Sequence, residues 1–176
     1  MIEICNTIND LVIITPKVYN DHRGYFLETY VKNKYSKLLN LEEEFIQDNR
    51  SYSHKNILRC LHYQKKFPQG KLVTVVKGEI FDVAVDIRKG SNTYGKHEAV
   101  ILNDKNFKQF WIPPGFAHGF VVLSEDAIVE YKVIGEYVPK DEGCIIWNDK
   151  TLNINWPTNE PILSEKDLAG IEFLNF

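Results

Sequence analysis

The chain has 176 residues, of which 44% are apolar and 26% are charged, and its formal net charge is -3. These values are typical of a single folded domain spanning residues 1–176, and they exclude a largely disordered or fibrous chain. Because the charge is mildly negative and no basic block is present, a nucleic-acid or anionic-membrane partner is not expected.

The cysteines and the hydropathy pattern bear on cellular location. Cys5, Cys60 and Cys144 lie far apart and form no CxxC pair or Cys/His cluster, so neither a disulfide framework nor a structural zinc site is predicted. There is no signal-peptide pattern and no apolar run of the ~18 residues that a membrane span needs. We therefore expect a cytoplasmic protein.

Short β-rich runs separated by turn signals dominate the chain. In chain order, strands are predicted over residues 11–15, 25–30, 72–76, 80–87, 98–102, 109–112, 119–123 and 128–134. The runs 72–76 and 80–87 flank Lys77-Gly78-Glu79 and are predicted to pair as a hairpin.

Helices are few. Apolar residues at Val31, Tyr35, Leu38 and Leu39 predict one amphipathic helix over 31–40. A second, short helix is predicted after Leu163, with Ser164 as its N-cap. Many strands and few helices predict a mainly β sandwich or barrel, with a jelly roll among the candidates.

Several polar side chains lie in strand-like surroundings. His62 is either a hydrogen-bonded core residue or a catalytic base. Lys71 either is solvated at a strand start or stabilises a phosphate or a developing oxyanion, and Tyr131 is either a core aromatic or a proton donor. Arg23 and Arg59 are either ordinary surface arginines or forks for a phosphate group.

The segment Trp111 to Phe120 is more specific, because a Pro/Gly-rich turn delivers His118 into a strand. Its PxGxxH pattern is similar to the second metal motif of the cupin superfamily. The first cupin motif, HxH followed by Glu, is absent, since Tyr63 and Gln64 follow His62. Two histidines are too few for a first-row metal, so a cupin-like barrel without a metal ion is predicted.

Taken together, these motifs resemble the dTDP-4-dehydrorhamnose 3,5-epimerase family, the cupin-fold nucleotide-sugar epimerases. The matching segments are residues 21–28, 45–49, 58–64, 69–73, 78–88, 111–120 and 163–167. The resemblance covers nearly the whole chain, and it implies a double-stranded β-helix (cupin, jelly-roll) barrel, a homodimer, and no metal or organic cofactor.

The resemblance also implies roles for individual residues. His62 is implied to be the general base, Asp167 its orienting partner, Tyr131 the acid on the opposite face, and Lys71 the group facing the C4 oxygen. The positions implied to bind the dTDP-sugar are Arg23, Glu28, Gln47, Asp48, Asn49, Arg59, His118, Glu142 and Lys166. The aromatic composition alone, and not the resemblance, leads us to expect that Phe26 or Tyr137 stacks on the thymine.

The implied chemistry suits these residue types. In a 4-keto-6-deoxy sugar, the hydrogens on C3 and C5 are both α to the C4 carbonyl, so a base of near-neutral pKa can remove them. A buried carboxylate fixes the tautomer of the histidine and raises its basicity. A lysine then stabilises the enolate, and inversion needs a proton from the other face.

One local feature makes a structural prediction. On a regular strand Arg59 and His62 face opposite sides, so a shared pocket requires the strand to bulge or twist between them. Similar enzymes have glycine where this chain has Cys60, and glycine suits a bulge. Cys60 is either a reactive thiol or, as the commoner case, a small buried apolar residue.

Other functions stay open at the level of sequence. A mono-epimerase acting at C3 or C5 of a related nucleotide sugar would use the same residues. A non-catalytic nucleotide-sugar binding module is disfavoured, because binding alone requires no acid–base pair. A metal-dependent cupin enzyme is a fourth alternative.

Overall fold

The computed structural model describes residues 2–3, 8 and 10–176. Cys5 lies outside these residues. The strands are β1 (Ile2–Glu3), β2 (Val12–Ile14), β3 (Val18–Asp21), β4 (Gly24–Leu27), β5 (Gln47–His54), β6 (Leu58–Gln64), β7 (Gly70–Lys77), β8 (Glu79–Asp86), β9 (His97–Asn103), β10 (Gln109–Ile112), β11 (Phe116–Val122), β12 (Asp126–Ile134) and β13 (Glu142–Ile145).

Two short α-helices accompany the strands, α1 (Lys32–Leu39) and α2 (Glu165–Leu168), with 3-10 turns at Pro139–Asp141 and Phe173–Asn175. Both helices confirm the predictions. Asn40 ends α1 in the left-handed conformation, and the Ser164 side chain caps α2 by accepting a hydrogen bond from the Asp167 amide. None of the described helices is long and apolar enough to cross a membrane.

The strands form two facing antiparallel sheets and a separate β3–β4 hairpin. The first sheet has the order β1-β2-β10-β7-β12-β5, and the second has the order β13-β6-β11-β8-β9. Apolar side chains from both sheets, including Val73, Phe110 and Phe120, fill the space between them. The architecture is the predicted cupin barrel.

The predicted hairpin between residues 72–76 and 80–87 is wrong. Strand β7 pairs with β10 and β12 in the first sheet, whereas β8 pairs with β11 and β9 in the second. Gly78, with φ +81°, turns the chain from one sheet to the other, and a Cβ there would lie 2.1 Å from the Asp126 carbonyl oxygen. Alternation of the apolar residues predicts each strand correctly but contains no information about its partner.

Strand β5 was not predicted, because its inward positions are polar. Asn49, Ser51 and Ser53 pair in register with Tyr131, Val129 and Ala127 of β12, whose side chains reach the barrel interior. A strand that lines a polar cavity lacks the apolar alternation by which strands are recognised. The barrel is therefore apolar at its centre and polar along one wall.

Two further apolar clusters cover the outer faces. Tyr35 of α1 packs with Leu72 and Trp111 on the first sheet. The segment after β13 packs Leu152, Trp156 and Phe173 against the second sheet. This segment brings α2, and with it Asp167, to the edge of the second sheet.

Candidate active site

The predicted bulge lies in β6, next to the shared edge with β11. His62 pairs with His118, and Arg59 pairs with Phe120, so β6 has one more residue between the two pairs than β11. A Cβ on Gly119 would lie 2.7 Å from the Arg59 carbonyl oxygen and 2.9 Å from the Cys60 carbonyl carbon. Glycine at 119 therefore allows the bulged backbone to pack closely.

His62 and Asp167 form a hydrogen-bonded pair. The Nε2 atom of His62 lies 2.7 Å from Oδ1 of Asp167, and the Ser164 hydroxyl donates to the other carboxylate oxygen over 2.7 Å. Because an ionised carboxylate only accepts, the proton is assigned to Nε2, which leaves Nδ1 free to take a proton. The Asp167 side chain is 6% exposed and that of His62 is 28% exposed, so the base is reachable and its partner is sheltered.

The pair strongly affects both pKa values. Burial lowers the pKa of His62, but hydrogen bonds to Asp167 and Cys144 outweigh it and raise the pKa to about 9. Burial raises the pKa of Asp167, but its hydrogen bonds with His62 and Ser164 dominate and lower the pKa to about 2. The pair thus favours a charged carboxylate beside a strongly basic imidazole.

Lys71 is the second residue of β7, and it lines the same cleft as His62. Burial lowers the pKa of its ammonium group to about 8, while the nearby carboxylates of Asp82 and Glu142 act in the opposite direction. The Nζ atom lies 6.0 Å from the ring centroid of Tyr131. A cation that is poorly hydrated before substrate arrives is well prepared to stabilise a developing oxyanion.

Tyr131 lies on β12, in the sheet that faces His62. Burial raises the pKa of its hydroxyl, and Arg59 and Asn49 oppose that effect. Arg59 reaches across to Ser53 of β5, with its Nε and Nη2 atoms 3.2 and 3.1 Å from the serine hydroxyl. Tyr131 and His62 therefore belong to opposite walls of the barrel.

His118 forms a second histidine–carboxylate pair. Its Nε2 atom lies 2.9 and 3.0 Å from the two oxygens of Asp82, and the His118 and Asp82 side chains are 8% and 0% exposed. Sequence reasoning did not single out Asp82, although Asp82, Ala84 and Asp86 mark the polar side of the alternating strand. In the fold, both sides of β8 are buried, and the side bearing Asp82 faces the interior.

Glu142, Tyr137 and Lys166 close the cleft beside His62. The Lys166 ammonium lies 2.6 Å from Glu142 Oε2, and the Tyr137 hydroxyl donates to the same oxygen over 2.8 Å. Burial raises the pKa of Glu142, but these two hydrogen bonds lower it below its usual value. The space left between His62, Lys71, Phe116 and these groups is about 30 Å³. Tyr137 and Glu142 thus leave little open space beside His62.

Gln47 and Asn49 are hydrogen-bonded to each other along the inward face of β5, over 2.9 Å. Asp48 between them points to the outer face, where its carboxylate pairs with Lys132 over 2.9 Å. Ser51 follows on the inward face, and its buried hydroxyl has no hydrogen-bond partner among the described residues. Ser51 was not singled out from sequence, because a polar strand gave no signal.

The structure does not join Arg23, Phe26 or Glu28 to the residues around His62. Arg23 pairs with Asp21 on the β3–β4 hairpin and its side chain is 78% exposed. Phe26 on the same hairpin is 66% exposed, and Glu28 forms an ion pair with Lys34. These three predicted substrate contacts therefore project from another part of the surface.

Behind the His62–Asp167 pair, two cysteines lie in contact. The Sγ atoms of Cys60 on β6 and Cys144 on β13 are 3.4 Å apart, and both residues are buried. The sulfur of Cys60 is also 3.5 Å from the Asp167 carbonyl oxygen. Contact with Cys144 and burial raise the pKa of the Cys60 thiol above its usual range.

Comparisons with known proteins agree with this geometry. A sequence profile of the family described as dTDP-4-dehydrorhamnose 3,5-epimerase matches residues 6–175. The enzyme of that name from Salmonella typhimurium is 50% identical over 172 residues, which is 97% of this chain and 94% of the relative.

Solved structures are similarly close. The dTDP-6-deoxy-D-glucose-3,5-epimerase of Legionella pneumophila, in complex with dTDP-4-keto-L-rhamnose, is 48% identical with a TM-score of 0.95, covering 99% of this chain and 93% of that one. A 3'-monoepimerase of Streptomyces bikiniensis, in complex with dTDP-quinovose, is 29% identical with a TM-score of 0.88, covering 96% and 86%.

The barrel and its relatives define the class of this protein as a cupin-fold isomerase. His62 and Tyr131 lie on opposite walls of its barrel, and Lys71 lies beside them. The chain belongs to the dTDP-4-dehydrorhamnose 3,5-epimerase family.

Proposed function

We propose that this chain inverts C3 and C5 of dTDP-4-dehydro-6-deoxy-D-glucose to give dTDP-4-dehydro-L-rhamnose, as a step of dTDP-L-rhamnose biosynthesis. The observation that carries the proposal is the His62–Asp167 pair on one barrel wall, facing Tyr131 on the other, in a chain of this family. The proton transfers use side chains alone, and the proposal invokes no metal or organic cofactor.

His62 is the base in this mechanism. Its Nδ1 atom takes the proton from C3 or C5, and the electron pair of the broken C–H bond moves to the C4 oxygen to form an enolate. Asp167 holds Nε2–H and stabilises the imidazolium that forms. The ammonium of Lys71 stabilises the negative oxygen.

Tyr131 completes the inversion from the opposite face. Its hydroxyl gives a proton to the carbon as the electron pair returns from the enolate, and the resulting phenolate is near Arg59. His62 and Tyr131 then exchange protons with solvent before the second carbon reacts. Both carbons flank the same carbonyl, so one set of groups can serve both after the sugar is repositioned.

Binding of the nucleotide is proposed for the cationic and amide groups around this cleft. Arg59, His118 and Lys166 present positive or donor groups, and Gln47, Asn49 and Glu142 provide further hydrogen bonds. Arginine is suited to the diphosphate because its planar group binds two oxygens at once.

A homodimer is proposed as the working assembly. Arg23, Phe26 and Glu28 project away from the His62 cleft, and Phe26 is too exposed for a residue that rests against its own chain. The outer face of the first sheet also holds a depression of about 420 Å³ bordered by Asp48, Arg50 and Val76. In a homodimer, the hairpin of one copy is available to complete the nucleotide site of the other.

The test of function is proton exchange in heavy water. We expect the purified protein, given dTDP-4-keto-6-deoxyglucose, to incorporate deuterium at both C3 and C5 by NMR, and to yield a product of L-lyxo configuration after reductive trapping. Incorporation at one carbon would instead show a mono-epimerase, like the Streptomyces bikiniensis relative. No incorporation would leave a nucleotide-sugar binding protein or another substrate.

The Tyr131→Phe variant separates removal of a proton from its return on the opposite face. Tyr131→Phe retains the base but lacks the opposite acid, so we expect deuterium exchange with retention to persist while inversion falls by about 10² or more. His62→Ala is the matched control and should lose exchange as well as inversion. Wild-type inversion in Tyr131→Phe would remove Tyr131 from its proposed role.

A further inference from the structure

The cysteine pair behind the catalytic dyad is not used by the proposed reaction. Cys60 is fully buried and Cys144 is 8% exposed, and their sulfurs are 3.4 Å apart on neighbouring strands. Cys144 lies opposite His62 in the β6–β13 register, which places it directly beside the base. Burial and packing explain why a small apolar residue occurs here, but they do not explain a second thiol facing the first.

Three atoms that could bind a metal ion lie close together here. The Sγ atoms of Cys60 and Cys144 and a carboxylate oxygen of Asp167 all lie within 4.8 Å of one another, and all three residues are buried. A tetrahedral zinc ion binds sulfur at about 2.3 Å and oxygen at about 2.0–2.2 Å, which places its ligands roughly 3–4 Å apart. Small side-chain movements therefore suffice for all three atoms to reach one ion.

A fourth donor is adjacent. The Nε2 atom of His62 is 2.7 Å from the nearer oxygen of Asp167, so a metal held by that carboxylate lies next to the imidazole. Two thiolates, a carboxylate and an imidazole are donors of the type that Zn²⁺ and other thiophilic divalent cations select. Hard cations such as Mg²⁺ prefer all-oxygen sites and are not matched here.

We propose that Cys60, Cys144 and Asp167 form a binding site for a thiophilic divalent cation such as Zn²⁺, and that occupation of this site switches off the catalytic base. The inhibitory part rests on the proposed role of His62, whereas the binding part does not. The site is distinct from the metal position of the cupin motifs, because the pattern at residues 113–118 contributes only His118, which pairs with Asp82.

The consequence for catalysis follows from the shared carboxylate. When the cation binds, each thiol releases a proton to solvent as its sulfur–metal bond forms. The Asp167 carboxylate, whose Oδ1 atom accepts the His62 hydrogen bond, then binds the cation through one of its oxygens. The carboxylate then holds the His62 ring less firmly. If Nε2 becomes the fourth ligand, the proton on Nε2 is released to solvent as the nitrogen–metal bond forms.

Binding is tested with Co²⁺, whose thiolate complexes absorb strongly. We expect metal-free protein under reducing conditions to bind one equivalent of Co²⁺, with a sulfur-to-cobalt charge-transfer band that Zn²⁺ abolishes by competition. Cys60→Ala removes one sulfur and should weaken binding by at least about tenfold. Cys5→Ser is the matched control, and it should bind as the wild type does.

Inhibition is measured in the same proteins. We expect Zn²⁺ at one equivalent to suppress turnover in the wild type and in Cys5→Ser, and a chelator to restore it. Cys60→Ala should keep its basal turnover and lose most of the sensitivity. Equal Co²⁺ spectra in the wild type and Cys60→Ala would overturn the site. Inhibition that a thiol reductant reverses but a chelator does not would also overturn it, since that indicates disulfide formation.

The two proposals fail separately. If the chain turns out not to be an epimerase, the Co²⁺ spectrum and its loss in Cys60→Ala still report the site. If the spectrum shows no thiolate band, the metal site is refuted while the deuterium exchange still tests the epimerase. Cys144→Ala gives a second, independent removal of a ligand should Cys60→Ala fold poorly.

Discussion

Two histidine–carboxylate pairs lie side by side in this barrel, and they differ in how they are built. His118 and Asp82 come from adjacent strands of one sheet and are almost wholly buried, at 8% and 0% exposure. His62 also lies on a strand, but its carboxylate arrives from α2 near the end of the chain, and the ring is 28% exposed. The first pair is fixed by the sheet, whereas the second joins a sheet to a helix end and opens on the cleft.

The difference in exposure suggests that the two pairs have different roles. A base must meet both its substrate and solvent, since its proton has to leave after each turnover. A donor that binds one group of the substrate works best when it is held rigidly. The exposed pair is therefore suited to proton transfer and the buried pair to positioning.

The largest expected contrast comes from truncating each histidine. His62→Ala should lower turnover by about 10³-fold, because general-base catalysis contributes about 10²–10⁴. It should cost less stability than the loss of His118, because Asp167 keeps its hydrogen bonds with Ser164. His118→Ala should leave Asp82 buried without its partner and reduce the free energy of unfolding by about 2–3 kcal/mol. Steady-state kinetics and urea unfolding of both variants measure the contrast, and equal stability losses would contradict it.

The second substitution is at Gly119, which follows His118 on β11 and packs against the bulge in β6. Gly119→Ala should destabilise the fold by about 2–3 kcal/mol, because its Cβ would lie within 3.0 Å of three backbone atoms of β6. If the strand relaxes instead of the fold being lost, the bulge closes and His62 shifts relative to Arg59, which lowers turnover. Full stability and turnover in Gly119→Ala would show that the bulge does not depend on this glycine.

The pH–rate profile sharpens the comparison further. His62 must be neutral to accept a proton, and its pKa is raised to about 9, so kcat/KM should rise with pH up to about that value. Asp167→Asn removes the carboxylate that raises this pKa. We expect the rise to move to lower pH and the maximal rate to fall by about 10–10². Asp82→Asn, in the buried pair, should leave the position of the rise unchanged.

Stability should respond to pH through the same pair. The folded pKa of His62 is raised above 6.5, so its contribution to stability is complete below 6.5 and is lost as the pH rises through about 9. The folded pKa of Asp167 is lowered to about 2, so its contribution is present above 3.8 and is lost as the pH falls through about 2. The stability difference between wild type and Asp167→Asn should therefore be greatest between about pH 4 and 6.5.

The smallest effect is expected from changing Ser164, the N-cap of the helix α2 that carries Asp167. Ser164→Ala removes both the cap of α2 and the hydroxyl that donates to Asp167. We expect a loss of about 1 kcal/mol in unfolding free energy and a decrease of a few-fold in turnover. Ser164→Thr retains the hydroxyl and should recover most of both, so failure of that rescue would point to a steric effect.

Most of the fold followed from local pattern. Strand β10 has the predicted bounds of 109–112, and α1 and α2 lie where their apolar spacing and their cap placed them. Pairing did not follow, as the β7–β8 connection shows, because alternation along one strand says nothing about which sheet it joins. Strand β5 was not predicted, because a strand that faces a polar cavity has no alternation of apolar and polar residues and its sequence resembles that of a loop.

The candidate site was predictable only where a motif could be matched. The irregularity between Arg59 and His62 was predicted from the two-residue period of a strand, because side chains three residues apart on a regular strand point to opposite faces. The partnership of His62 with Asp167 depends on chain segments 105 residues apart, and only the family resemblance indicated it. Asp82 and Cys144 had no such motif, so their places beside His118 and His62 emerged from the fold alone.

The position of Asp167 has a consequence for how the protein is made. Synthesis proceeds from the amino end, so every described strand of the barrel is complete before residue 164 is added. His62 therefore gains its carboxylate partner only after the barrel strands have been synthesised, when α2 is added. A chain that stopped shortly after Ile145 would lack Asp167, and it would also lack Leu152, Trp156 and Phe173, which cover the outer face of the second sheet.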